Sequence, residues 1–197
     1  MGYDKYSEIT PYISSLADLA RGEGAISADL YEKYKVNRGL RDLNGKGVLT
    51  GLTEISEVKS SEERDGVSVP CEGKLYYRGY DVNDLVRGFT GDGRFGYEEC
   101  VYLLLFGVLP NKKELDDFTA HIESLRTLPS SFVRDIILKA PSRDMMNSLA
   151  RSVLTLYSYD ENADDTSVEN VLRQSLQLIS LFPMLSVYSY QSYSHYH

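Results

Sequence analysis

Apolar residues recur along most of this chain at helical spacing. Thr10 followed by Pro11 predicts a helix start, a hydroxyl cap and then a proline at the first helical position, with Ile13, Leu16, Ala17 and Ala20 on one face. Gly22 and Gly24 end that run, and Ser27 predicts the cap of a second short helix through Tyr34. Between about residues 44 and 79 the period changes. Asn44-Gly45 reads as a hairpin turn ahead of a β-rich run from Val48 to Val58, "SSEERDG" as a charged loop, and "VSVPCEGKLYYRG" as one or two more strands.

From Asp81, a predicted helix cap, the pattern is helical again. Val101, Leu103, Leu104, Leu105 and Phe106 make a dense apolar run that Gly107 stops. Asn111 and Glu114 have capping-box spacing and open a helix whose stripe is Leu115, Phe118, Ile122 and Leu125, closed by Pro129. Val133, Ile136 and Ile137 predict a short helix ended by Pro141. Ser142 is expected to open the next, with Met146, Leu149, Val153 and Leu156 as its buried stripe. Thr166 and Glu169 form another capping-box pair, opening a helix from Ser167.

That last helix carries Leu172, Leu176, Ile179 and Phe182 on one side and Leu178, Leu181 and Leu185 on another. A helix apolar nearly all round is expected to be buried. Pro183 is expected to kink it, and Gln177, Ser180, Pro183 and Ser186 interrupt it too often for a membrane span. Arg173 is the sole formally charged residue from Val171 onward, and no glycine stop or polar tail follows. The expectation is a chain cut within an element.

The 197 residues suit one large domain or two small ones, and 42% hydrophobic with 25% charged residues is ordinary globular usage. A formal charge of −8 with no basic cluster argues against nucleic acid as a partner. Two cysteines, Cys71 and Cys100, and an opening segment without an apolar core predict a cytoplasmic protein.

The residues able to carry chemistry are few. Gly91, Gly93 and Gly96 satisfy G-x-G-x-x-G, but a predicted helix precedes them where a dinucleotide site needs a strand, so an interhelix loop is expected. His195 and His197 could share a metal on a strand but diverge on a helix, and no acidic residue or cysteine stands near them to complete a shell. His121 reads as a boundary histidine and Cys100 as a small core residue. Asp160, Glu161, Asp164 and Asp165 lack the pattern of a calcium loop and read as a solvated loop. Tyr188, Tyr190, Tyr193 and Tyr196 could line a pocket or pack with their hydroxyls toward water or a partner. No residue is assigned as catalytic, cofactor-binding or metal-ligating.

Three stretches in order, "GVLTGLTEIS", "GKLYYRGYDVNDL" and "EECVYLLLFGVLPNKKEL", resemble the N-terminal portion of citrate synthase between Gly47 and Ile122. The likeness weakens afterwards: where the family often has His-Pro-Met, this chain reads "RDMMNSL". The resemblance implies a mainly α, multi-helical large-domain fragment with a small N-terminal β element. It implies residues 1–43 as a helical extension and 44–197 as the N-terminal half of the large domain.

The family condenses acetyl-CoA with oxaloacetate to give citrate and CoA, in the tricarboxylic acid cycle. It does so without a further cofactor, through a catalytic Asp, two His and substrate-clamping Arg residues. None of these is matched here, and the family's glycine-flanked His motif is absent, so His195 and His197 are given no role and the chain alone is expected to be inactive. Tyr77, Arg78 and Gly79 are implied to be scaffold, with Gly79 at a backbone angle other residues avoid. A homodimer or larger assembly is implied. A 2-methylcitrate synthase acting on propionyl-CoA, and a non-catalytic helical dimerisation module, are the alternatives.

Overall fold

A computed structural model of the protein describes residues 7–23, 26–36 and 51–196. The order is α1 (Pro11–Glu23), α2 (Ala28–Lys33), β1 (Ser56–Arg64), β2 (Val67–Tyr77), β3 (Tyr80–Asp81), α3 (Val82–Gly91), α4 (Tyr97–Phe106), α5 (Lys112–Ser124), a π-helical turn (Val133–Leu138), α6 (Met145–Tyr157) and α7 (Val168–Tyr196). The architecture is mainly α with one three-stranded sheet, as the sequence leads one to expect. The chain divides into two compact units, one of residues 19–115 and one of residues 1–18 with 116–197.

The unit of residues 19–115 holds the sheet, in the antiparallel order β1-β2-β3. Its hairpin differs from expectation. Asn44-Gly45 lies outside the described residues, and residues 51–55 form no strand. The strand begins at Ser56 and runs straight through the charged "SSEER". The turn is Asp65-Gly66, with φ of 54° and 76°. Two central residues at positive φ match the right-handed twist of the flanking strands. β1 is exposed almost throughout, so its charges meet water and no alternating pattern is demanded of it. "VSVPCEGKLYY" is a single strand whose register against β1 slips between Lys59 and Ser61, opposite Pro70 to Lys74. Proline has no N–H for the ladder, and such a slip accommodates it.

The helices of this unit start and stop where local chemistry places them. The Asp81 carboxylate accepts from the Asn83 N–H at 2.8 Å and caps α3. Gly107 closes α4 at φ 77°, and its N–H donates to the Leu103 carbonyl at 2.8 Å. Leu85, Tyr102, Leu103 and Phe106 are buried. The Tyr102 and Phe106 rings meet edge to face at 4.7 Å.

In the other unit, Phe132, Ile137, Leu181 and Leu185 form a buried cluster, flanked by Leu128, Leu149, Leu156 and Tyr159. The capping box at the start of α5, in the unit of residues 19–115, is made as expected: the Asn111 N–H donates to Glu114 Oε2 at 2.8 Å and the Glu114 N–H to Asn111 Oδ1 at 3.1 Å. Two caps shift by a residue or two. Asp144, not Ser142, caps α6, its carboxylate accepting from the Asn147 N–H at 3.0 Å. Ser167 rather than Thr166 accepts at the start of α7, from the Asn170 N–H at 3.4 Å.

The stripe expected on α6 is only partly inside. Ser148 and Ser152 are the buried positions, while Met146 is 74% exposed. The Ser152 hydroxyl donates to the Ser148 carbonyl at 2.8 Å, which satisfies it without a partner from another element. Ser180 of α7 instead reaches another element: it donates at 2.9 Å to the Ile122 carbonyl in the last turn of α5, which also accepts from the Leu125 N–H at 3.3 Å.

α7 runs through Pro183 and buries Leu172, Leu176, Leu181 and Leu185. It is not covered all round: Val171, Phe182, Val187, Tyr188, Tyr190 and Tyr196 are exposed. α6 and the π-helical turn pack against it.

Candidate functional site

Two places in the molecule concentrate polar geometry, one in each unit. The first is the corner after β2. Arg78 and Gly79 form a two-residue turn between β2 and β3, closed by the Tyr77–Tyr80 pair, with φ of 47° and 84°. The Arg78 N–H donates to the Ile55 carbonyl at 2.9 Å. Its guanidinium donates to the Leu104 carbonyl twice, from Nε at 3.3 Å and Nη2 at 3.1 Å.

Leu104 lies in the last turn of α4, where a carbonyl finds no N–H within the helix. A cation there also faces the negative end of the helix dipole. Arg78 thus ties the sheet to α4. A cleft of about 280 Å³, lined by Glu54, Arg78, Gly79 and Gly107, opens beside this tie. A β-carbon on Gly79 would meet nothing within 4 Å, so the constraint on that residue is its positive φ and not space.

The second place surrounds Asp160. Its carboxylate accepts from Arg173 Nη2 at 2.6 Å, Gln174 Nε2 at 3.0 Å, Ser7 Oγ at 2.9 Å and the Asn162 N–H at 3.1 Å. Arg173 Nε donates to Asn170 Oδ1 at 2.9 Å, and Asn170 donates to the Asn162 and Asp165 carbonyls at 2.8 and 2.7 Å. Side-chain exposure is 4% for Arg173 and 12% for Asp160, so this pair is inside the protein. Burial alone would raise the Asp160 carboxyl. The hydrogen bonds of Gln174, Arg173, Ser7 and the Asn162 N–H outweigh it and hold the group below the usual carboxylate range. A cavity of about 230 Å³ adjoins the network, lined by Val153, Leu156, Tyr157, Gln174, Gln177 and Leu181 among others.

Of the acidic segment read as a solvated loop, Glu161, Asp164 and Asp165 are exposed as expected, and Asp160 alone turns inward. Besides Asp160, Asp164 accepts from the Tyr157 hydroxyl at 2.9 Å, and Asp165 accepts from the Ser167 N–H at 2.9 Å. Arg173, the sole formally charged residue from Val171 onward, is the sequence signal that a buried partner is needed.

The remaining candidates lie apart from both places. Gly91 ends α3, Gly93 has φ 66°, and Gly96 caps α4, in a loop preceded by a helix as expected. A β-carbon at Gly96 would sit 2.2 Å from Phe89 Cδ1, which assigns that glycine to packing. Burial pushes the Cys100 thiol up, with Glu99 adding to the effect, so it is no thiolate at neutral pH. His121 stacks edge-on against Tyr12 at 5.0 Å, and burial lowers its pKa, keeping the ring neutral. His195 is exposed near the end of α7 against Tyr196; His197 lies outside the described residues. Tyr188, Tyr190 and Tyr196 are exposed and Tyr193 half-buried, while Ser189 and Ser192 take the buried positions between them.

A family model described as citrate synthase, C-terminal domain, matches residues 40–197. The chain belongs to the citrate synthase family. It is 37% identical over 91 residues to a citrate synthase of Saccharolobus solfataricus, covering 46% of this chain and 22% of that protein. To a citrate/2-methylcitrate synthase of Bacillus subtilis it is 28% identical over 145 residues, 74% of this chain and 35% of the relative. The crystal structure of citrate synthase from Pyrobaculum aerophilum superposes with a TM-score of 0.58 at 25% identity, covering 79% of this chain and 39% of that one. The chain thus spans between 22% and 39% of the length of these citrate synthases.

Proposed function

We propose that this chain supplies part of the helical scaffold of a citrate synthase, the enzyme that joins the methyl carbon of acetyl-CoA to the oxaloacetate carbonyl and releases CoA. The match across residues 40–197 carries this reading. Two of the three motifs are used here for packing: Arg78 ties strand to helix, Gly107 caps α4, and Asn111 with Glu114 starts α5. The condensation needs a base to take a methyl proton and donors to stabilise the enol and the carbonyl. His121 is stacked on Tyr12, and His195 is exposed at a helix end. The 197-residue chain alone is therefore proposed to be inactive.

The test mixes the purified chain with oxaloacetate and either acetyl-CoA or propionyl-CoA and follows thiol release. No turnover above buffer is the expected result, and measurable turnover on either substrate overturns the reading of this chain as scaffold. Turnover of propionyl-CoA by the product of the complete reading frame would favour the second reading, a 2-methylcitrate synthase, which the Bacillus subtilis relative's name supports. A stop codon directly after His197 would favour a non-catalytic helical module.

The proposed reaction calls for no resident cofactor, since acetyl-CoA is a substrate, and its place is the tricarboxylic acid cycle of the cytoplasm. Among the described residues no helix is long and apolar enough to cross a membrane. We further propose a homodimer or larger assembly, supported by the exposed apolar residues Val171, Phe182 and Val187 of α7 and Met146 and Leu154 of α6. Light scattering on the same preparation is expected to give at least twice the chain mass; a clean monomer counts against it.

A further inference from the structure

Two polar atoms between α6 and α7 are buried without a hydrogen-bond partner among the described residues: Nε of Arg151 on α6 and the Ser189 hydroxyl oxygen on α7. The Arg151 side chain is anchored at its far end, where Nη2 donates to the Ala140 carbonyl at 2.8 Å. Ser189 is 3% exposed. Both residues line one small cavity of about 10 Å³, walled by Ile136, Ile137 and Pro141, with Ser152 beside them. A buried polar group left unpaired is costly, and folded proteins pair nearly all of them with protein or with ordered water. Pro141 has no N–H to offer, and the isoleucine side chains have no polar atom. A single water needs roughly 10–15 Å³ and two to four polar partners, so this space takes one and no more.

We propose that this cavity is a binding site for one ordered water molecule, which bridges Arg151 on α6 to Ser189 on α7. The water accepts from Arg151 Nε and from the Ser189 hydroxyl. It donates to Ser152 Oγ, whose own proton goes to the Ser148 carbonyl at 2.8 Å. A halide would find the same two donors, but the Ser152 oxygen has no proton left for it and the space fits nothing larger than water. The bridge also accounts for serines at the buried positions of α6: an apolar side chain at Ser152 would fill the space and strand the guanidinium.

A crystal structure of the whole chain, at a resolution that shows ordered water, tests this. The expected result is one peak within about 2.7–3.2 Å of both Arg151 Nε and Ser189 Oγ. No peak there, or Arg151 Nε turned onto a protein acceptor, overturns the proposal. Crystals grown in bromide should show no anomalous signal at the site; a signal overturns the proposal, because the site then takes an anion. Ser189→Ala gives a reading in solution whose sign decides. With a water in place, alanine loses one hydrogen bond, and the thermal midpoint should fall by about 2–4 °C. An unchanged or higher midpoint overturns the proposal, because an unpaired hydroxyl in a dry space costs stability that alanine recovers.

Discussion

Arg173→Ala is expected to lower the unfolding free energy by about 3–5 kcal/mol, the usual cost of leaving one member of a buried ion pair alone. Against a total stability of roughly 5–15 kcal/mol for a domain, that is enough to leave a large unfolded fraction at room temperature. The size follows from what the guanidinium touches. Asp160 loses its 2.6 Å partner, and the Asn170 side-chain oxygen, in a fully buried residue, loses its donor as well.

The pH dependence gives a second reading of the same interaction. In the wild type the Asp160 carboxyl titrates below the unfolded value, so its stabilisation is complete above the ordinary carboxylate range and is lost as pH falls through the folded pKa. Without Arg173 one of the donors that offset burial is gone, so that pKa rises and the carboxylate's stabilisation is lost at a higher pH than in the wild type. The stability gap between wild type and variant should therefore narrow between pH 7 and pH 4. Urea denaturation at both pH values measures it. A gap under about 1 kcal/mol at neutral pH would mean that the pair does not hold α7 to the α6–α7 turn.

How far the sequence carries such an account depends on whether the deciding interaction is local. The Asn111–Glu114 box, the Gly107 stop and the Asp81 cap each involve residues within four positions of one another, and each is found where its spacing places it. The bounds of β1 and its Asp65-Gly66 turn are not legible because β1 has no buried face to impose an alternating pattern on the charged "SSEER". Asp160 was misread for a different reason. Its partners Ser7 and Arg173 are brought to it by tertiary packing, and an acidic loop with a buried member looks the same in sequence as one without. The stripe on α6 failed in part because hydrophobicity ranks Met146 above Ser148, whereas the burial that packing produces ranks them the other way.

The Arg78 corner allows its two contributions to be separated. Arg78→Ala should cost about 1–3 kcal/mol, since it removes two charge-assisted donations to the Leu104 carbonyl at the helix end. The alanine must still hold the left-handed φ of 47°, a conformation that costs a residue with a β-carbon roughly 1–2 kcal/mol. Arg78→Gly loses the same hydrogen bonds but is relieved of that strain. It should therefore come out about 1 kcal/mol more stable than Arg78→Ala, even after the extra chain entropy of glycine in the unfolded state. Thermal denaturation of the two variants beside the wild type reads both quantities. Equal stability of all three would mean that the guanidinium spans the gap between strand and helix without tying them. The turn would then be held by the Tyr77–Tyr80 pairing and the Ile55 carbonyl alone. A loss in alanine that glycine partly restores requires both the hydrogen bonds and the backbone strain. It would place the Tyr-Arg-Gly stretch in the family's scaffold on physical grounds and without appeal to likeness.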